Sequence, residues 1–238
     1  MPRVFDRNIF IMMFSIMLGV VIVTYFVADI VHRSQIDELN TEHVSEIKNI
    51  EENNINFTNS FLESSVLLDS AREDRAFGNY HFDLAQLFYT SALNEKNESL
   101  MNEYKNESID NCSKAMPMYL TAQKNFITST KFFKETMNFT DYENYLNLLS
   151  LYVNLTTIGA EITLLRYNAS HYLKMIVQNI TYVNGSSTLE NTTNVTGLLS
   201  LFNETIGMYG SALADYEETQ QKIDEYDIKG FSTIREPH

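Results

Sequence analysis

The chain begins with a long apolar stretch and continues with apolar residues at helical spacing. Residues 9–28 read IFIMMFSIMLGVVIVTYFVA, 20 residues without a charge. At about 1.5 Å per residue, a helix of this length spans the roughly 30 Å hydrocarbon core of a bilayer. A cleaved signal peptide has an apolar core of only about 7–15 residues and small residues before the cut, which this stretch lacks. The pattern therefore predicts a transmembrane signal-anchor helix at 9–28.

Beyond the anchor, apolar residues recur about every 3.5 positions, which predicts that the membrane helix continues outward as a stalk. This stripe comprises Ile36, Leu39, Val44, Ile47, Ile50, Phe57 and Phe61. Between Gly19 and Gly185 only Gly78, Gly159 and Pro117 are helix breakers. We expect Pro117 to kink or interrupt its helix. No alternating run bounded by turn pairs predicts a sheet.

A helix from about Tyr142 to Tyr182 carries its polar residues in one narrow stripe, and apolar residues cover the rest, as in a helix that is largely buried. The stripe comprises Asn147, Ser150, Asn154, Thr157, Glu161 and Asn168. The turn-forming sequence NGSSTLENTTN ends this helix. A last helix is predicted from about Gly197 to Tyr226, with a face for close helix contact made of Gly207, Gly210, Ala212 and Ala214.

These elements predict an all-α fold, in which a single N-terminal transmembrane helix precedes an elongated antiparallel bundle of about four long, coiled-coil-like helices. We expect a cytoplasmic N-terminus, the anchor, a helical stalk with the first bundle helix, an extracellular glycosylated bundle and a flexible C-terminal tail. The corresponding residues are 1–8, 9–28, 29–76, 77–228 and 229–238.

Two resemblances accompany this fold. The spacing of Phe82, Ala85, Tyr89, Ala92 and Leu93 is similar to that of the second helix of a tetratricopeptide repeat. Helical repeats are therefore the alternative architecture, although we see no second copy at the expected spacing of about 34 residues. A bundle above a first membrane helix also resembles the ectodomain layout of bacterial and archaeal chemoreceptors, here without a second span or cytoplasmic signalling sequence.

The triplet Asn-x-Ser/Thr, the acceptor for N-linked sugars, is about threefold more frequent than chance, which predicts roughly four copies for this composition. The predicted glycosylation sites are Asn56, Asn97, Asn106, Asn111, Asn138, Asn154, Asn168, Asn179, Asn184, Asn191, Asn194 and Asn203. All of them follow the apolar stretch at 9–28. Sugar attachment therefore requires the whole region after this stretch to lie outside the cytoplasm.

Charge predicts the same orientation. Arg3 and Arg7 precede the anchor, whereas residues 34–238 carry 14 basic and 29 acidic side chains, a net charge of −15. Positive residues favour the cytoplasmic side, so we place the protein in the cell membrane with its N-terminus inside and its C-terminal domain outside. The uncharged stretch 144–160 is rejected as a second crossing, because it contains three asparagines and would return six acceptor sites to the cytoplasm.

The sequence contains no phosphate-binding, zinc-protease, nucleophile-elbow or dinucleotide-binding motif, so we predict no enzyme activity, no cofactor and no metal site. The five histidines are scattered, and the acidic charge disfavours nucleic acid. Cys112, the only cysteine, lies on an apolar helix face, and burial is favoured over a disulfide to a partner. The compact cluster Arg72, Glu73, Asp74 and Arg75 is either a candidate partner contact at a helix junction or a salt-bridged turn.

The leading hypothesis is a membrane-anchored, N-glycosylated structural or interaction protein of the cell surface. It is expected to be an accessory or envelope subunit that packs its helices against other surface or membrane proteins in a homo- or hetero-oligomer, with membrane lipid contacting residues 9–28. The alternative is an extracellular sensor-type four-helix bundle that holds a ligand and signals through a partner. Dense acceptor sites without any intrachain disulfide favour an archaeal-like surface protein.

Overall fold

A computed structural model describes the backbone of residues 7–190 and 192–226 and the side chains of residues 31–190 and 192–226. The chain divides after Asn54 into two compact units, each of which is described by itself. Three predicted segments fall wholly or partly on residues that are not described. They are the N-terminal segment 1–8, the side chains of the anchor 9–28, and the tail 229–238.

Helix α1 runs without a break from Arg7 to Asn94. It therefore does not end near residue 76, where the sequence predicted the first bundle helix to stop. In the first unit, the side chains described between residues 31 and 54 are almost all exposed. These include the apolar stripe Ile36, Leu39, Val44, Ile47 and Ile50, whose residues are 44–66% exposed.

In the second unit, the remainder of α1 packs with α2 (Glu98–Thr136), α3 (Glu143–Gln178) and α4 (Thr193–Asp224). At all four interfaces, contacts made further along one helix are made earlier along its neighbour. Neighbouring helices are therefore antiparallel, and the bundle has up-down-up-down topology. On α1 and α2, for example, Ser129 bonds to Ser64 whereas Ser108 bonds to Ala85. The predicted bundle of four packed helices is confirmed.

Side chains in the short connections cap the starts of α2 and α4. The Oδ1 atom of Asn97 accepts bonds from the backbone N–H groups of Ser99 and Leu100, at 2.9 and 3.2 Å, and so caps the start of α2. Thr192 caps α4 through a 3.3 Å bond from the Val195 N–H. These caps satisfy amide groups that have no partner in the first helical turn. A 3₁₀ helix, Met137–Phe139, connects α2 to the segment before α3.

A two-stranded hairpin corrects the prediction that no sheet is present and that a helix continues to Tyr182. Strands β1 (Ile180–Val183) and β2 (Ser186–Leu189) pair antiparallel. Asn184 and Gly185 have φ angles of 54° and 82°, the left-handed conformation that a two-residue hairpin turn requires. The Asn-Gly pair between residues of high strand propensity was the signal for this turn, but it was interpreted only as a surface loop.

Pro117 does not interrupt its helix, so this part of the prediction, that proline kinks or interrupts the helix, is wrong. Helix α2 continues from Glu98 to Thr136 with Pro117 inside it. Proline removes one N–H donor, which leaves the carbonyl of Ser113 without its usual helical partner. Pro117 is exposed and Ser113 is half-buried on the same side of the helix. Water can therefore satisfy this carbonyl, and the helix does not need to break.

Two glycines allow aromatic rings to approach the helix backbone closely. A Cβ atom on Gly78 would lie 2.7 Å from the ring of Tyr119, and one on Gly159 would lie 2.5 Å from the ring of Phe126. Of the small-residue face predicted on the last helix, Ala212 is buried in the core, whereas Ala214 and the two glycines are exposed. Gly207 and Gly210 are exposed, and a Cβ at either position would meet nothing within 4 Å.

The polar stripe predicted on α3 faces solvent, apart from Asn168, which is half-buried. Among the described residues, α3 is also a helix whose length and composition would allow it to cross a membrane. Its apolar window is 39% buried, and α3 packs against both α2 and α4. This packing is that of a bundle helix.

Substitution by alanine should change the stability in opposite directions at a glycine that contacts an aromatic ring and at a glycine in open space. Gly159→Ala would force the ring of Phe126 to move, and we expect the free energy of unfolding to fall by about 1–3 kcal/mol. Gly210→Ala is the matched control, and should raise this free energy by about 0.5–1 kcal/mol because alanine is the better helix former. Urea unfolding of the full chain in detergent, followed by circular dichroism, measures both. Equal effects would contradict the packing described.

Candidate functional site

The predicted partner-contact cluster lies within α1, and most of it bonds to other helices of the bundle. Arg72 Nε donates to the hydroxyl of Tyr216 at 3.1 Å, and Arg72 Nη2 donates to Gln220 on the same helix. The amide of Asn125 on α2 donates to Asp74 at 3.3 Å. Burial, followed by the nearby charge of Glu73, raises the pKa of the Asp74 carboxyl.

Only Glu73 of this cluster is exposed. The cluster is not at a helix junction, because α1 is continuous there. Its arginines therefore connect α1 to α4 within the bundle, and the structure favours this internal role over a contact with an external partner.

The fourth member, Arg75, belongs to a group of cationic and aromatic side chains contributed by all four helices. We call this group the arginine layer and define it as Arg75, Asn79 and Phe82 of α1, Tyr119 of α2, Arg166 of α3, and Tyr209 and Tyr216 of α4. The Arg166 guanidinium lies 3.9 Å from the centroid of the Tyr209 ring and 4.7 Å from that of Phe82. The Arg75 guanidinium lies 4.6 Å from the Tyr216 ring centroid.

Tyr119 places a hydroxyl in the same layer. Its ring packs against the backbone at Gly78, and its hydroxyl donates to Asn79 Oδ1 at 2.8 Å. Burial raises the pKa of Tyr119, and the positive charges of Arg166 and Arg75 partly oppose that increase. Both arginines are therefore close enough to act electrostatically on one buried phenol.

The layer lies where the apolar interior changes from one cluster to another. One core cluster contains Phe126, Tyr209 and Tyr216, and the other contains Phe82 and Tyr119. Arg75 Nη1 and Arg166 Nε are both shielded from solvent, and neither atom has a hydrogen-bond partner in the described part of the chain. A charged donor without a partner is unusual in a protein interior, because leaving it unpaired costs free energy.

Sequence reasoning missed most of the arginine layer. A signal was present at Arg166, which lies one helical turn or two from Ile162, Ala169 and Leu173, three buried positions on α3. A single arginine among buried apolar positions is worth noting, because arginine is rarely buried unless it is paired. The tyrosines carried no comparable signal, since aromatic residues at helical spacing usually form core.

The structure places most predicted glycosylation sites on the surface. Seven are exposed: Asn97, Asn106, Asn138, Asn154, Asn184, Asn194 and Asn203. Asn56, Asn168 and Asn179 are half-buried, and Asn191 lies outside the described residues. The sites are distributed over all four helices and the hairpin region, so they do not define a single patch.

Asn111 is the exception, because it is only 4% exposed. Its amide nitrogen donates to the Glu107 carbonyl at 2.9 Å, and its Oδ1 lies 3.0 Å from Nδ1 of His81. The neighbouring Cys112 is fully buried, as predicted, and burial raises the pKa of its thiol to about 12. A sugar at Asn111 has no room in the folded chain, and a disulfide from Cys112 to a partner would require the helices to separate.

No group of three or more potential metal ligands is present among the residues that the structure describes. The positions that resemble a tetratricopeptide helix do not form a repeat. Phe82, Ala85 and Ala92 are buried core residues of the long helix α1. Comparison of the chain with protein-family models, with curated proteins and with solved structures finds no match.

Proposed function

We propose that the chain is a membrane-anchored, N-glycosylated interaction protein of the cell surface. Residues 9–28 would hold it in the membrane, with the N-terminus in the cytoplasm and the bundle outside. It would act as an accessory or envelope subunit by packing part of α1 against a helix of another membrane or surface protein. Sugars and acidic charge would keep the remaining surface soluble.

The observation that carries this proposal is the exposure of the acceptor asparagines. Seven of the 11 described sites are exposed, and one is buried. A sugar needs a surface position, because on a buried helix face it would displace the core. This distribution leaves room for sugars at most of the described acceptor sites, as the proposed glycosylation requires.

The exposed apolar stripe on α1 supports the interaction role. Contiguous exposed apolar surface is unusual on a soluble protein and is characteristic of binding surfaces. At about 100° per residue, Ile36, Leu39, Val44, Ile47 and Ile50 fall on one broad face of the helix. This face is long enough to accept a partner helix over about four turns.

The charges beside the stripe indicate the chemistry of its partner. Glu42 and Glu46 border the stripe on one side, and Asp37 and Lys48 border it on the other, while Glu51 falls between its apolar positions. Residues 31–54 contain six acidic side chains against two basic ones. Two copies anchored in one membrane would pair parallel and bring two surfaces with an excess of acidic charge together, which is unfavourable. The partner we propose is therefore an amphipathic helix with lysine or arginine beside its apolar face.

The alternative function is a sensor bundle that holds a ligand between its helices. One observation favours it, namely the polar arginine layer within the bundle. The two functions are compatible in one chain, since the stripe lies in the first unit and the arginine layer lies in the second.

Glycopeptide mass spectrometry of the protein purified from its native host tests the surface assignment. We expect sugars at several of the seven exposed asparagines and an unmodified Asn111, because Asn111 is buried and its amide is hydrogen-bonded. Asn106, exposed on the same helix, is the matched control. A chain without any sugar would contradict the proposal, as would sugar at Asn111 with none at Asn106.

Site-specific crosslinking tests the partner face. A photoreactive residue replacing Ile47 in the full-length protein should form a discrete adduct in native membranes. The same residue replacing Ser45, which is exposed on the opposite side of the helix, should not. We expect sequencing of the adduct to identify an amphipathic helix with basic flanks. A crosslink to a second copy of this chain, or equal crosslinking from both positions, would contradict the proposed partner.

A further inference from the structure

A strip of exposed side chains follows α1 along the outside of the second unit. We call this strip the acidic face and define it as Leu62, Val66, Asp69 and Glu73. Successive members are four, three and four residues apart, so they share one side of the helix. Leu62 and Val66 are 57% and 68% exposed, and every exposed charged side chain between positions 62 and 73 is acidic.

Helix α2 carries a second strip with the same spacing and the opposite charge. We call this strip the basic face and define it as Leu120, Lys124, Ile127 and Lys131. Leu120 and Ile127 are 47% and 56% exposed. Residues 113–134 of α2 contain four lysines and no acidic residue, although the chain as a whole has 31 acidic residues and 17 basic ones. Each chain therefore presents two apolar strips that carry complementary charge.

The two helices that carry these faces are paired in a fixed register. Ser129 on α2 bonds to Ser64 on α1, and Ser108 bonds to Ala85. Ala85 lies 21 residues after Ser64, and Ser108 lies 21 residues before Ser129. The register is therefore the same at both bonds, and positions between them can be matched by counting.

Counting from the bond between Ser64 and Ser129 places the members of the two faces at equal heights. Two residues further along the register, Val66 is level with Ile127. Five residues along it, Asp69 is level with Lys124. Two copies that stand side by side in the same orientation would therefore bring apolar side chains opposite each other and an acid opposite a lysine.

The charges on these faces are available for such a contact. Among the described side chains, Lys124 and Glu73 form no ion pair within the chain. Asp69 lies 3.4 Å from Arg72 and Lys131 lies 3.5 Å from Glu135, but both pairs are exposed neighbours on one helix. Exposed pairs of this kind contribute little free energy, so they can be exchanged for pairs between copies.

The predicted sugar sites also leave both faces uncovered. No acceptor triplet lies between Asn56 and Asn97 on α1, and none lies between Asn111 and Asn138 on α2. Contacts between two acidic faces or between two basic faces would oppose like charges, which is unfavourable. The charges therefore favour contact between unlike faces.

We propose that the acidic face of α1 docks against the basic face of α2 in a neighbouring copy of this chain. The contact is heterologous, so each copy keeps one face free for the next and the contact can repeat as a ring or a row. This inference rests on the proposed function, because copies anchored in one membrane share the orientation that matches the heights. It uses the second unit alone and leaves the stripe of residues 36–50 for its own partner.

Crosslinking between two tagged versions of the full-length protein tests the docking. One version carries Asp69→Cys and the other carries Lys124→Cys, and both are produced in the same membranes. A short thiol-to-thiol reagent should join them in a mixed dimer, whereas either version alone should give none. The native Cys112 does not interfere, because it is buried and its thiol has a pKa raised to about 12.

Glu161→Cys replaces Lys124→Cys in the matched control. Glu161 is exposed on α3, one residue from the level of Lys124, as the bond between Thr130 and Thr156 shows. A mixed dimer between Asp69→Cys and Lys124→Cys, with none in this control, supports the docking. Equal yields in both, or a dimer of Asp69→Cys with itself, overturn it.

Charge reversal tests whether the two faces recognise each other by charge. With Val66→Cys in one version and Ile127→Cys in the other, adding Lys124→Glu to the second should slow crosslinking about tenfold. Adding Asp69→Lys and Glu73→Lys to the first should restore the rate. No change on the first reversal, or no recovery on the second, contradicts the proposed contact.

Failure of the docking can be separated from failure of the proposed function. A glycosylated chain that gives no mixed dimer would overturn the docking and leave the surface assignment standing. A mixed dimer in a chain without any sugar would support the docking and contradict the surface assignment.

Discussion

Tyr119 lies with its ring against the backbone of α1, in the space that Gly78 leaves open. Phe126, two turns further along α2, makes the equivalent contact with α3 at Gly159. These contacts determine how closely α2 approaches its two neighbours, because a methyl group at either glycine would overlap the ring. Since interiors pack almost without voids, the positions of the other core side chains follow from these distances. The hydroxyl of Tyr119 thereby reaches Asn79, and the arginine layer forms around it.

Buried serines keep α1 and α2 close together on both sides of the contact between Tyr119 and Gly78. Ser129 donates to the Ser64 carbonyl at 2.7 Å, and Ser108 donates to the Ala85 carbonyl at the same distance. These polar atoms are buried but paired, so they do not weaken the core. Arg75 Nη1 and Arg166 Nε are exceptions to this pattern, because both are buried donors without a partner in the described part of the chain.

The sequence predicted the features that depend on periodicity. The number of bundle helices, the exposed side of α3 and the burial of Cys112 all follow from which positions are apolar. Features that depend on contacts between distant residues were not predictable in this way. The run of small residues on the last helix predicted a close helix contact at Gly207 and Gly210. The glycines that make such contacts are Gly78 and Gly159, because the facing aromatic rings come from another helix.

Some wrong predictions are explained by the immediate surroundings of the residues concerned. Pro117 does not break α2, because its exposed position leaves the freed carbonyl accessible to water. The hairpin after α3 was missed because two strands of four residues give little alternation, and the Asn-Gly turn signal was attributed to a loop. The arginine layer was the largest omission, since the side chains that surround Arg166 come from α1 and α4 and have no fixed distance from it in the sequence.

The surface assignment, on which the proposed partner contact depends, is tested most directly by labelling intact cells with an amine-reactive reagent that cannot cross membranes. Lys114, Lys131 and Lys222 have side chains that are 53%, 72% and 56% exposed on the bundle. We predict that all three are labelled before the cells are opened, as mass spectrometry of the purified protein would show. Labelling that occurs only after the membrane is disrupted would place the bundle inside the cell and contradict the account.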